Sequence, residues 1–103
     1  MTNFSTQLVD DNGEPATYKP IVDGQPQAEL PLTLRIAAKG ALLNRTDVEG
    51  EISVENTLAR YNLWHKIKDT DEVELTPGET DLLKLCIVRR FEIETAGQVI
   101  NLI

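Results

Sequence analysis

A chain of 103 residues with ten basic and seventeen acidic side chains, a net charge of −7, supports one small folded core and is too short for two ordinary ones. Its acidity opposes the phosphate backbone, whose binding needs a basic face that releases counterions, so nucleic acid is excluded as a partner. The apolar content of 41% is too high for disorder throughout, and no run approaches the roughly 18 apolar residues of a membrane span.

The chain opens in extended or loop conformation, because Pro15, Pro20, Pro26 and Pro31 all fall in its first third. Within "FSTQLVDDNGEPATY", Phe4, Thr6 and Leu8 lie on one alternating face, and Asn12-Gly13 between two extended runs predicts a β-hairpin. The segment "VDGQPQAELP" reads as a linker. The expected organisation is therefore a hairpin and linker over 1–31 and a helical domain over 32–103. The opening lacks the basic start and unbroken apolar run of a signal peptide. The single cysteine, Cys86, sits in the apolar run "LLKLCIV" and reads as a buried, inert thiol. The lack of a signal peptide and of a membrane span points to a reducing cytoplasm, where the sequon Asn44-Arg45-Thr46 is a coincidence of composition.

From Leu32 the apolar period becomes helical. A first helix over about 32–43 places Leu32, Ile36 and Leu43 on one stripe, with Ala and Gly between them for close packing. A polar loop, "NRTDVEGE", follows over 44–51. A second helix is capped by Ser53 and runs to about 68, its stripe made of Val54, Leu58, Tyr61 and His65 and widened by Leu63 and Ile67. A third, over about 77–91, is apolar most of the way round through Leu82, Leu83, Leu85, Cys86, Ile87 and Val88, and is expected to be central. The tail "ETAGQVINLI" predicts a short last helix with Thr95 and Gln98 as its capping box.

The acidic stretch "KDTDEVELTPGETD" raises the question of a metal site, and the spacing answers it. A calcium loop counted from Asp69 would need a ligand where Val73 stands, a glycine where Glu74 stands and a glutamate where Thr80 stands. Helix-start chemistry fits instead: Thr76 as N-cap, Pro77 at the first position and Glu79 closing a capping box, with Glu79 and Asp81 at the positive end of the helix dipole.

No catalytic, cofactor-binding or metal residues are assigned. His65, the one histidine, has no serine or cysteine placed beside it by local spacing, and no phosphate loop or zinc spacing is present. Tyr61 and Trp64 would stack bases only beside a basic groove, so they are expected to pack on a neighbouring helix or on a protein partner. Arg89 and Arg90 close the third helix at its negative dipole end. Together with Ile100 in the terminal "VINLI", these four form the set of candidate protein-contact residues. A lone hairpin has unpaired edges, and "VINLI" offers more aliphatics than a narrow stripe hides, so self-association through hairpin or tail is expected, the alternative being that hairpin and tail cover each other on one monomer.

The order of segments, "LVDDNGEP", "TLRIAAKGALL", "ARYNLWHKI", "VELTPGETDLLK" and "GQVINLI", resembles a group of small, largely uncharacterised proteins encoded in tailed bacteriophage and prophage genomes. That resemblance implies a bacterial cytoplasmic origin and a place among virion assembly or structural proteins, and it supplies no catalytic residues. The expectation is an α+β protein, an N-terminal β-hairpin followed by a small three- to four-helix bundle. It is non-enzymatic and needs no cofactor. It acts through protein contacts, with itself or with another phage protein, in head or tail assembly. The alternative is a small phage factor that binds and modulates a host protein.

Overall fold

Asn12-Gly13 reverses the chain as its turn chemistry requires. Gly13 takes a φ of 78°, the Asp10 carboxylate accepts from the amides of Asn12 and Glu14 at 2.9 and 3.0 Å, and Val9 bridges Pro15 antiparallel. Phe4 and Leu8 are buried as expected, but no continuous alternating strand joins them: Phe4 and Ser5 lie in a turn after Asn3, and Gln7 and Val9 make isolated bridges. The computed structural model to which these features belong describes residues 1–44 and 53–103. The polar loop expected over 44–51 therefore lies, beyond Asn44, outside the described residues.

Three extended segments close on one another around the buried Leu8. The Leu8 amide donates to the Leu32 carbonyl at 2.9 Å, the Leu32 amide to Ala16 at 2.9 Å and the Ala16 amide back to Leu8 at 2.8 Å. The Gln7 side-chain amide nitrogen faces all three of those carbonyls at 2.8, 2.9 and 3.0 Å, using acceptor capacity that the backbone ring leaves over. Short antiparallel pairs extend the arrangement: β2 (Thr17–Tyr18) with β5 (Leu30–Pro31), and β1 (Thr2–Asn3) with β6 (Glu72–Val73). The stretch expected as a linker contains a second hairpin, β3 (Ile21–Val22) with β4 (Gln25–Pro26). Its two-residue turn is Asp23-Gly24, both at positive φ (52° and 76°), the turn geometry that Asp-Gly supplies at least cost.

Among the described residues the helices come after five of the six short strands, with β6 between the second and third, so the fold is α+β with most strands first. In α1 (Leu34–Leu43) Thr33 caps the first turn by accepting from the Ile36 amide. Its buried face is Leu34, Ala37, Ala38, Ala41 and Leu42, whereas Leu43, expected on the inward stripe, is exposed. The physical reason is the alanines: small side chains let α1 lie close to a helix on either side, and it packs against both α2 (Val54–Ile67) and α3 (Pro77–Arg90). The expected caps form at Ser53, which accepts from the Asn56 amide at 3.0 Å, and at Thr76. There the capping box is complete, with Glu79 N–H to Thr76 Oγ1 at 3.2 Å and Thr76 N–H to Glu79 Oε1 at 2.9 Å.

Helix α3 buries Leu83, Cys86 and Ile87, but Leu85 and Val88 are 41% and 50% exposed, so it is not apolar-packed all round. It lies between α1 and α4 (Ile93–Leu102). The cap of α4 is Glu92, whose carboxylate accepts from the Thr95 amide and hydroxyl, and not Thr95 with Gln98 as the sequence suggested. Gln98 has another partner: its side-chain amide pairs with the Val9 backbone in both directions, accepting from N–H and donating to C=O at 2.9 Å each. Hairpin and tail thus cover each other, with Val99 buried and Ile103 packed at the edge of the core. Phe4, Leu8, Leu34, Leu63, Leu83 and Val99 belong to one buried cluster.

The acidic stretch is used structurally. The Arg35 guanidinium donates to the Asp71 carboxylate at 2.7 Å and to the Thr70 carbonyl at 3.0 Å, and the Asp71 carbonyl accepts from the Phe4 amide at 2.6 Å. Lys66 reaches Glu79 at 2.6 Å. Among the described residues no three His, Cys, Asp or Glu side chains converge as metal ligands would, and no helix is long and apolar enough to cross a membrane.

Candidate functional site

At 100° per residue, α2 carries two apolar stripes on opposite sides. One is Leu63 and Ile67, and it is buried; the other is Val54, Leu58 and Tyr61, and it faces outward at 76%, 52% and 52% exposure. The stripe expected to pack into the core is thus the surface one. What selects the inner face is Arg60, which is only 6% exposed. Its guanidinium donates to the carbonyls of Ala41 and Leu42 at 3.1 Å each and of Asn44 at 2.8 Å. These are carbonyls at the C-terminal end of α1, which its own ladder leaves unsatisfied and which no cation of its own last turn serves. Capping them from the neighbouring helix requires the Arg60 side of α2 to face α1, which turns Val54, Leu58 and Tyr61 away.

His65 continues the outer stripe, and its ring lies 4.2 Å from that of Tyr61 at an interplanar angle of 44°. Tyr61 also lines a cleft with Leu42, Leu43, Thr57 and Arg60, so the exposed Leu43 of α1 adjoins the α2 stripe. Trp64 is half-buried against the core, on the flank between the two faces. The Lys39 ammonium lies 6.0 Å from its ring centroid.

A second concave surface is a groove of about 430 Å³ between the Tyr18–Pro20 stretch, α1 and the end of α3. Tyr18, Ile36, Gly40, Leu43 and Phe91 contribute to its walls, and Lys39 and Arg90 are its cations. Neither Lys39 nor Arg90 forms a salt bridge among the described residues, and the Arg90 guanidinium lies 5.6 Å from the Phe91 ring. Arg89 is half-buried beside it in sequence.

The five residues singled out from sequence do not meet at one point. Trp64 lies near Lys39 and Arg90 shares a groove with it, Tyr61 stands on the outer face of α2, and Ile100 is half-buried on α4. Sequence reasoning missed Val54, Leu58 and Lys39 as surface features. The signal available was that α2 has more apolar positions than one core face can take. Cys86, on α3, is buried as its apolar neighbours predict.

No protein-family model matches this sequence, and neither a curated protein nor a solved structure is similar to it.

Proposed function

We propose that this chain is a non-enzymatic protein-binding module of phage or prophage origin, acting in the cytoplasm of a bacterial host in the assembly or structure of the virion head or tail. The observation that carries the binding reading is the outward stripe of α2: Val54, Leu58 and Tyr61 are exposed on one face of a well-capped helix that has already buried its other face. A row of apolar side chains at helical spacing on a rigid element is what helix-mediated recognition uses. The phage assignment rests on the likeness of segment order to small phage proteins. A factor that binds a host protein would use the same stripe, and the test separates the two.

The test is deletion of the gene from the phage or prophage that encodes it, followed by electron microscopy of the particles produced. Loss of heads or tails, or particles of aberrant shape, restored by the unaltered gene but not by one encoding Leu58→Asp, is the expected result. Particles of normal number and shape would overturn the assembly role and favour the host-directed one.

A further inference from the structure

We infer that the outward face of α2 is a two-fold seam on which a second copy of this chain docks antiparallel. The inference rests on the protein-binding reading above and narrows the partner to the chain itself. The stripe residues Val54, Leu58, Tyr61 and His65 are separated by four, three and four positions, the alternation that defines the seam of a two-stranded coiled coil. That set of intervals is unchanged when read backwards. A two-fold axis perpendicular to α2, passing midway between Leu58 and Tyr61, therefore brings stripe residues together at every level, Leu58 and Tyr61 at the centre and Val54 with the His65 ring at either end. Leu58 meets the partner's Tyr61, Tyr61 the partner's Leu58, and Val54 the partner's His65.

The polar residues distinguish this orientation from the parallel one. Antiparallel docking sets Glu55, near the N-terminal end of one helix, on the same flank as the partner's Lys66 and near its level; that ammonium already holds Glu79 at 2.6 Å and has further N–H groups to share, and the arrangement opposes the two helix dipoles. Parallel docking would set His65 beside the partner's His65 and leave Glu55 and the partner's Lys66 on opposite flanks of the seam. Leu43, 47% exposed and sharing a cleft with Tyr61, extends the apolar area beside the seam. The seam is short, since Val54 to His65 spans about 16 Å at the helical rise, so the dimer belongs to the small, weak class of interface. Each copy carries a charge of −7, so the association needs physiological salt, where the Debye length is about 8 Å and long-range repulsion is screened.

The experiment is light scattering after size exclusion at about 10 and about 500 µM, concentrations that bracket a weak interface, on the full chain and on Leu58→Asp and Tyr61→Asp. The expected result is a rise towards dimer mass with concentration for the parent chain and monomer mass throughout for both variants. A dimer that survives both substitutions places the contact elsewhere and overturns the inference. Orientation is read by mixing Leu58→Cys with Tyr61→Cys, oxidised glutathione serving as oxidant and the parent chain, whose Cys86 is buried, as background. Antiparallel docking gives the mixed disulfide faster than either variant pairs with itself; faster self-pairing overturns it. A parent chain that is monomeric at both concentrations, while Leu58→Asp still abolishes particle assembly, sinks the dimer and leaves the protein-binding reading standing. Monomer mass with normal particles from Leu58→Asp sinks both.

Discussion

Arg60 does with one side chain what the end of α1 does not do for itself. Three backbone carbonyls accept from its guanidinium, those of Ala41 and Leu42 in buried residues and that of Asn44 at the cleft edge, and losing the donor would deprive the two buried ones of this partner. Arg60→Ala is expected to cost about 1.5–3 kcal/mol in urea unfolding, the range for bonds to a charged group. Arg60→Lys should recover only part, because an ammonium is a point charge without the planar fork. Loss of less than about 0.5 kcal/mol in the alanine variant, the size of an ordinary surface change, would contradict this role. Two carboxylates at helix starts give the chain an acid sensitivity. Burial pushes Glu79 up, but the hydrogen bond from Lys66, the Thr76 amide and the Lys66 charge together hold it below its ordinary 4.5. Glu92 lies below 4.5 chiefly through the Thr95 hydroxyl, with backbone amides adding to it. A carboxyl whose folded pKa is depressed stabilises the fold above its unfolded value and loses that contribution as pH falls through the folded one. The melting temperature should therefore drop as pH falls below about 4.5, the ordinary carboxyl value, and drop less steeply in Glu79→Gln with Glu92→Gln. Parallel pH profiles for parent and double variant would refute the assignment.

Helix α3 shows what periodicity can and cannot settle. Leu83 is fully buried and Leu85 is 41% exposed, although both lie in the same apolar run. Leu83→Ala should cost about 2–5 kcal/mol, as buried leucines do, whereas Leu85→Ala should stay within about 0.5 kcal/mol. Equal costs would mean that α3 is rotated. The caps at Ser53 and Thr76, the turn at Asn12-Gly13 and the boundaries of α2 and α3 were legible in the sequence, because each depends on chemistry within a few residues of itself. The inner face of α2 was not. Its choice is made by an arginine reaching carbonyls 16 to 19 positions earlier, and hydrophobic spacing assigns no core role to a cation. The cap of α4 was misread for a related reason: Gln98 looked local but pairs with Val9, 89 positions away.

In the whole molecule, the two features that suggested self-association from the sequence, hairpin edge and aliphatic tail, are turned on each other through Gln98, Val9 and Val99. Among the described residues α2 leaves an apolar row outward, on a helix whose extensive helix contact is with α1. The proposed function and the proposed dimer both depend on that row being surface. Urea unfolding of Leu58→Asp beside Leu63→Asp, at protein concentrations too low for self-association, tests this most directly. With Leu58 outward and Leu63 inward, the first variant should unfold within about 0.5 kcal/mol of the parent, while the second buries an unpaired charge and should lose most of its stability. A severe loss from Leu58→Asp together with a tolerated Leu63→Asp would mean that the stripes are exchanged, and the account of α2 would fall.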